Sequence, residues 1–267
     1  MQGRFEQSRE NSRPKPAVQW RLVETIEAPA SAQMAMDEAM LLARAEGRIP
    51  NTLRFFRWKP AAVTIGFFQS MEMEVDTARA KALGVDVVRR YTGGGAVVHD
   101  KEVTYSLVMD EKDAPEDIIE SYKHICHGVV SGLGLLGIRA EFKPVNDIIV
   151  NGRKISGNAQ TRRSGVLLQH GTLLLDTDVK RMFSLLKVAD EKIRDKAIAS
   201  AEERVTSLRH ELGRDVPFEE ARKALVEGFG RALKVQFNEA ALTGYEKAAA
   251  ERLRREKYAT NEWNGWR

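Results

Sequence analysis

The 267-residue chain has a single cysteine, no apolar stretch approaching membrane-spanning length, no long basic block with interleaved aromatics and no internal repeat. A lone thiol, Cys126, closes no intramolecular disulfide, which fits a reducing compartment and makes the cytoplasm the default location. Without an apolar run of about 18 residues there is no candidate spanning helix, and the N-terminus lacks the apolar core of a secretory signal. A formal charge of +4 is mild for this length and gives no sign of nucleic acid or of a membrane surface. It suits anionic small molecules and an acidic protein partner. Residues 1–16 are polar and mixed in charge, with Pro14 and Pro16 at their end, and read as a flexible tail. Arg4, Arg9 and Arg13 would suit a transit peptide, but Glu6 and Glu10 oppose one. Residues 17–267 are enough for one large domain.

The most informative segment is Arg89-Arg90-Tyr91-Thr92-Gly93-Gly94-Gly95-Ala96-Val97-Val98-His99-Asp100. Three consecutive glycines cost backbone entropy when ordered, and they permit positive φ and close approach of N–H groups to a ligand. No Lys-Ser or Lys-Thr follows them, which excludes a Walker A loop, and no helical pattern follows, which excludes the dinucleotide fingerprint. The bland alternative is a hairpin turn, with His99 and His170 as core or rim residues. Arg89 and Arg90 alternate across a strand, so at most one faces a ligand while the other makes a salt bridge.

A second segment runs from Asn146-Asp147 through Ile148-Ile149-Val150 into Asn151-Gly152, a strong type I′ hairpin signal. The returning strand carries Lys154 at its start, followed by the small residues Ser156, Gly157 and Ala159. Farther on, Gln169-His170-Gly171-Thr172 places a glycine inside a strand-like run, a sign of a bulge or a close backbone approach. His124 and His127 lie three apart on a helical pattern around Cys126; with no fourth ligand evident, they read as structural.

Periodicity predicts strands over 18–26, 53–58, 62–67, 86–90 and 103–109, and strands and hairpins over 139–175. Helices are predicted over 31–45, 77–83, 116–136, 179–186, 217–233 and 241–257. Gly128, Gly132 and Gly134 inside the predicted helix 116–136 either weaken it or let a strand pack closely. The order of elements predicts an α+β fold with a mixed, largely antiparallel sheet flanked by helices.

Taken together, these motifs resemble the catalytic domain of the lipoate-protein ligase A family, within the superfamily of biotin-protein ligases and octanoyltransferases. The resemblance covers roughly residues 17 to 264 and includes Ala35-Met36-Asp37-Glu38, Leu53 to Trp58, Ile65 to Gln69 and Glu262-Trp263-Asn264. It implies ATP-dependent activation of lipoate to lipoyl-AMP with magnesium, and transfer of the lipoyl group to a lysine on a carrier domain. The implied acceptors are the lipoyl domains of 2-oxoacid dehydrogenase complexes and the glycine-cleavage carrier protein.

Joining a carboxylate to a triphosphate requires positive charge and N–H donors where the two anions meet. On the resemblance, Lys154 is the catalytic cation, Asn146 and Asp147 meet phosphate, and Asp147 is a magnesium ligand. Arg89, Arg90, Thr92, Gly93, Gly94, Gly95, Ala96, Val97 and His99 line the acyl-adenylate site with Ser156, Gly157, Ala159, His170, Gly171 and Thr172. Phe67, Val97 and Ala159 supply apolar wall. The additional C-terminal domain of full-length ligases has no counterpart after Asn264, so a separate small accessory subunit is expected to serve adenylation. The alternative function is an octanoyl-carrier-protein:protein octanoyltransferase. Members of that branch share Gly-Arg-Lys, Ala-Gln-Thr-Arg and Gln-His-Gly with this chain but use a thiolate, and residues 139–146 hold no cysteine. Cys126 sits in an apolar helical stretch, where a buried, inert thiol is expected. A non-catalytic lipoyl- or nucleotide-binding regulator would have a broken glycine loop or lysine hairpin; both are intact.

Overall fold

A computed structural model describes residues 18–187 and 191–267; the expected tail, residues 1–16, lies outside them. In chain order the elements are β1 (Val18–Ala28), α1 (Ala30–Ala45), β2 (Thr52–Trp58), β3 (Ala62–Ile65), α2 (Met71–Glu74), α3 (Thr77–Ala82), β4 (Asp86–Arg89), β5 (Val97–His99), β6 (Glu102–Asp110) and α4 (Ile118–Leu135). There follow β7 (Glu141–Lys143), β8 (Asp147–Val150), β9 (Arg153–Arg163), β10 (Val166–Leu174), α5 (Val179–Leu185), α6 (Glu191–Arg204), α7 (Leu208–Leu212), α8 (Phe218–Leu233), β11 (Val235–Ala240), α9 (Gly244–Leu253) and α10 (Asn261–Asn264). Among the described residues no helix is long and apolar enough to cross a membrane.

The strands form an eight-stranded sheet, β11-β1-β2-β6-β10-β9-β8-β7, and a three-stranded sheet, β4-β3-β5. From β2 to β7 every neighbouring pair is antiparallel, whereas β1 runs parallel to both β2 and β11, so the α+β, mixed and largely antiparallel expectation holds. Strand β11 escaped the sequence reading because only Val235 and Phe237 in it are half-buried and the rest is exposed. Helix α6 escaped it because its sequence is a run of charges with few apolar positions.

Period-2 alternation divides the large sheet into two faces. Leu53, Phe55, Val103, Tyr105 and Leu107 point into the core beneath α4 and α8. Val108, Val166 and Leu168 point to the other face, where Met36, Met40 and Leu41 of α1 and Ala249 of α9 cover them. The glycines of α4 admit a helix, not a strand. A Cβ on Gly128 would stand 2.2 Å from Phe229 of α8, and one on Gly228 would stand 2.3 Å from the Gly132 amide nitrogen. The interpenetrating backbones bring the two helices into close contact, with no room for a methyl group. Gly128→Ala is therefore expected to lose about 1–3 kcal/mol by overpacking, more than the roughly 1 kcal/mol that alanine gains in helix propensity, as urea denaturation would read.

Candidate active site

The cavity that holds most of the predicted residues, about 310 Å³, lies between the small sheet and the α1 face of the large one. Its floor is set by register. Phe56 of β2 pairs with Thr104 of β6, which pairs with Thr172 of β10, so three side chains stand in a row across three strands. All three line the cavity, with Trp58 and Leu174 beside them.

The expected residues Arg90, Gly94, Gly95, Ala96, Val97, His99, Asn146, Lys154, Ser156, Gly157, Ala159, His170, Gly171 and Thr172 all line this space. Arg89, Thr92, Gly93 and Asp147 do not. Phe67, expected in the apolar wall, instead packs among Phe68, Tyr91, Trp263 and Trp266.

Lys154 stands at the start of β9 because Asn151 and Gly152 adopt the left-handed conformation that a tight turn requires, with φ of 50° and 79°. Its Nζ lies 2.6 Å from Asp147 Oδ1. Its backbone oxygen accepts from the Thr206 amide at 2.8 Å, which pins the strand to the segment after α6. Gly157 supplies the space for the side chain, since a Cβ there would be 2.8 Å from Lys154 Cε and 2.9 Å from Nζ. Asn146, which lines the cavity, also clamps the hairpin. Its side-chain amide donates to the Asn158 carbonyl, and Asn158 Nδ2 donates back to the Asn146 carbonyl at 2.9 Å.

Among the described residues neither Arg89 nor Arg90 makes the expected salt bridge, and of the two only Arg90 lines the cavity. Buried Arg89 spends its guanidinium on backbone carbonyls: Phe67 at 3.0 Å, Gln69 at 2.5 Å, Trp263 at 3.0 Å and Asn264 at 2.9 Å. It ties the segment after β3 to the C-terminal residues and, among the described residues, meets no carboxylate. Arg90 grips the glycine loop, donating from Nη2 to the Gly93 carbonyl at 2.7 Å and to the Gly95 carbonyl at 2.8 Å. Gly94 has φ +96°, and a Cβ there would stand 2.7 Å from Arg90 Nη2, so glycine is required both by conformation and by contact. Burial pulls the Arg90 guanidinium down to about 10, still charged at neutral pH.

The two histidines are each backed by a carboxylate. His170 Nδ1 lies 3.0 Å from Asp37 Oδ2 and its Nε2 lies 2.7 Å from Thr92 Oγ1. His99 Nδ1 lies 2.7 Å from Glu102 Oε1, its Nε2 lies 2.9 Å from Thr64 Oγ1, and its ring stacks on Trp58 at 4.2 Å. Burial pushes the His170 imidazole below the ordinary histidine value, with Asp37 opposing. Thr64, Trp58 and Glu102 were not named as site residues from the sequence. Only the alternation of β3 and β6 could have placed Thr64 and Glu102 on the face that meets the glycine loop.

Among the described residues no group of three His, Cys, Asp or Glu side chains could hold a metal. Asp147 is committed to Lys154, so the residues here do not fit a resident magnesium ion. Cys126 is buried in α4 outside the cavity wall, 3.6 Å from Gln169 Nε2, and burial pushes its thiol up to about 12.

The sequence model of the lipoyl protein ligase A/B catalytic domain matches residues 29–230. Among curated relatives, octanoyltransferase LipM of Kyrpidia tusciae is 39% identical over 92% of this chain and 98% of its own length. Octanoyltransferase LipM of Geobacillus kaustophilus is 36% identical over 92% and 97%. Among solved structures, a chain from the archaeal lipoylation system of Thermoplasma acidophilum, described as a bi-partite lipoate protein ligase and its E2 lipoyl domain, superposes with a TM-score of 0.84. It is 36% identical and covers 92% of this chain and 96% of that one. A lipoate-protein ligase A bound with ATP superposes with a TM-score of 0.80 at 33% identity, covering 92% and 98%.

Proposed function

The chain belongs to the lipoyl protein ligase A/B catalytic-domain family, and on that premise we propose that it is an octanoyltransferase, moving a medium-chain acyl group from a carrier thioester to a lysine of a lipoyl-carrier domain. This corrects the expectation of an ATP-dependent lipoate-protein ligase, because the curated relatives that match nearly the whole chain at 33–39% identity are named octanoyltransferases. The proposed acceptors are the lipoyl domains of 2-oxoacid dehydrogenase complexes and the glycine-cleavage carrier protein. A separate accessory subunit, expected for adenylation, has no step to serve in this transfer.

An ammonium group beside a largely apolar cavity carries acyl transfer at this site, and the octanoyltransferase relatives carry the choice of a carrier thioester as donor. Lys154 reaches that space from one end, while Phe56, Trp58, Val97 and Leu174 offer the wall that a saturated chain requires. The acceptor lysine, as a neutral amine, attacks the acyl carbonyl; the C–N bond forms, the C–S bond breaks, and the displaced proton ends on the carrier thiol. Negative charge develops on the carbonyl oxygen, and Lys154 is the group that neutralises it.

The transfer is direct. Burial pushes the Cys126 thiol up to about 12, which keeps it in the un-ionised, weakly nucleophilic form, and the sulfur does not line the cavity. Cys126→Ala is expected to keep transfer within about twofold of wild type and to cost about 1 kcal/mol of stability. Loss of activity with an unchanged melting temperature would reinstate a thioester intermediate.

The function is tested by the mass of a purified lipoyl domain after incubation with this chain and octanoyl-carrier protein, beside reactions with lipoate plus ATP and with preformed lipoyl-adenylate. Addition of one octanoyl group from the carrier is the expected result. Modification only in the ATP or adenylate reactions would overturn it.

A further inference from the structure

The glycine loop is held by a continuous chain of buried hydrogen bonds that joins the two histidine–carboxylate pairs. Arg90 Nε is 3.2 Å from Thr92 Oγ1, and Arg90 Nη1 is 3.2 Å from Thr64 Oγ1. Each threonine hydroxyl in turn meets a histidine Nε2, and each histidine Nδ1 meets a carboxylate. Thr64, Thr92, Arg90, His99 and His170 are all buried, and Thr92, which does not line the cavity, has the least access to water for a substitute partner.

The direction of every bond is fixed by what the groups can do. A guanidinium only donates, so both threonine oxygens accept from Arg90. A carboxylate only accepts, so both Nδ1 atoms carry hydrogen, and a neutral imidazole then presents a bare Nε2. Each threonine O–H must therefore donate to Nε2. With His170 neutral, every bond from Asp37 through His170 and Thr92 to Arg90 is satisfied. A proton on His170 Nε2 would force Thr92 Oγ1 to accept from both sides and leave its own hydrogen buried without a partner.

We propose that Thr64 and Thr92 are positioning residues that lock Arg90 in its grip on the Gly93 and Gly95 carbonyls, and that protonation of His170 releases this lock and loosens the loop against the acyl donor. The charged and titratable groups facing His170 are Asp37 on α1, Arg90 after β4 and His99 on β5. Arg54 of β2 stands behind Asp37, 2.5 Å away. Glu38, next along α1, is turned to Lys257 and Tyr258. Burial already disfavours the imidazolium. The opened loop, where His170 meets water, takes up the proton as pH falls below the ordinary histidine value of about 6.5, so acid favours opening.

The test has two readouts. Hydrogen–deuterium exchange of the peptide covering residues 90–99, corrected for intrinsic rates, needs no assumption about the reaction. It is expected to rise about tenfold between pH 8 and pH 5.5, the equivalent of one hydrogen bond. Thr92→Val and Thr64→Val should show the raised exchange already at pH 8, with Thr92→Ser and Thr64→Ser restoring protection. The kinetic readout rests on the octanoyl-transfer reading: the valine variants should raise KM for the octanoyl donor about tenfold with kcat within about twofold, a split that follows loss of uniform binding. Wild-type loop exchange and wild-type pH dependence in Thr92→Val, at an unchanged melting temperature, would overturn the lock. Altered exchange without any octanoyl transfer by the parent chain would overturn the proposed reaction and leave the lock standing.

Discussion

Lys154→Met is expected to lower kcat/KM for octanoyl transfer by about 10²–10³-fold, the cost of removing one preorganised donor to a developing oxyanion. The stability of the variant should fall by only about 1 kcal/mol, because the Lys154 side chain is 44% exposed and that of its partner Asp147 33%, although the Asp147 Oδ1 it meets is buried. The two effects therefore separate in a single comparison of melting temperature and rate. Lys154→Arg should not rescue the rate. The space beside Gly157 is already tight around Cε and Nζ, and a planar guanidinium is wider than an ammonium group. Gly157→Ala approaches the same loss from the other side: its methyl carbon would stand 2.8 Å from Lys154 Cε and push the cation off the mouth of the cavity. Wild-type kcat/KM in Lys154→Met would remove the lysine from the chemistry.

The lysine hairpin was legible because its causes are local. Asn151-Gly152 announces the turn, and the small residues after Lys154 announce the space around it. The glycine loop was legible for the same reason. What holds it was not, since Arg89 and Arg90 differ only in which side of one strand they occupy, and the partners that decide their roles lie far off in sequence. Arg89 finds Trp263 and Asn264 across more than 170 residues, and Arg90 finds Thr64 through the pairing of β3 with its neighbours. Gly66 shows the same limit. A Cβ there would stand 1.9 Å from the Gly94 carbonyl oxygen, a requirement that exists only once the two loops are folded together. The choice between adenylation and thioester transfer was least legible of all. Both need a cation beside an apolar pocket, and the residues that supply these are the same.

Asp37→Ala is expected to destabilise the fold by about 3–5 kcal/mol, the cost of leaving a buried guanidinium without its carboxylate. The register explains the magnitude. Arg54 of β2 pairs with Ser106 of β6, which pairs with His170 of β10, so a charged and an aromatic donor flank one row of the sheet beneath α1. Asp37 answers both, with Oδ1 at 2.5 Å from Arg54 Nη2 and Oδ2 at 3.0 Å from His170 Nδ1. Burial alone would raise this carboxyl. The Arg54 charge and the His170 hydrogen bond outweigh it and hold the group below its ordinary value. Its contribution is thus fully present above the unfolded carboxylate value of about 3.9 and is lost as pH falls through the lowered folded value. Denaturation of wild type and Asp37→Ala across that range should show the gap between them narrowing toward acid. Replacing the pair together, Asp37→Leu with Arg54→Met, should recover part of the loss, since the single substitution strands a charge and the double one does not. The double variant should still be impaired in donor binding, because His170 then lacks the acceptor that fixes its Nδ1 proton and with it the bare Nε2 that Thr92 requires. Full recovery of both stability and donor KM would show that Asp37 serves the core alone.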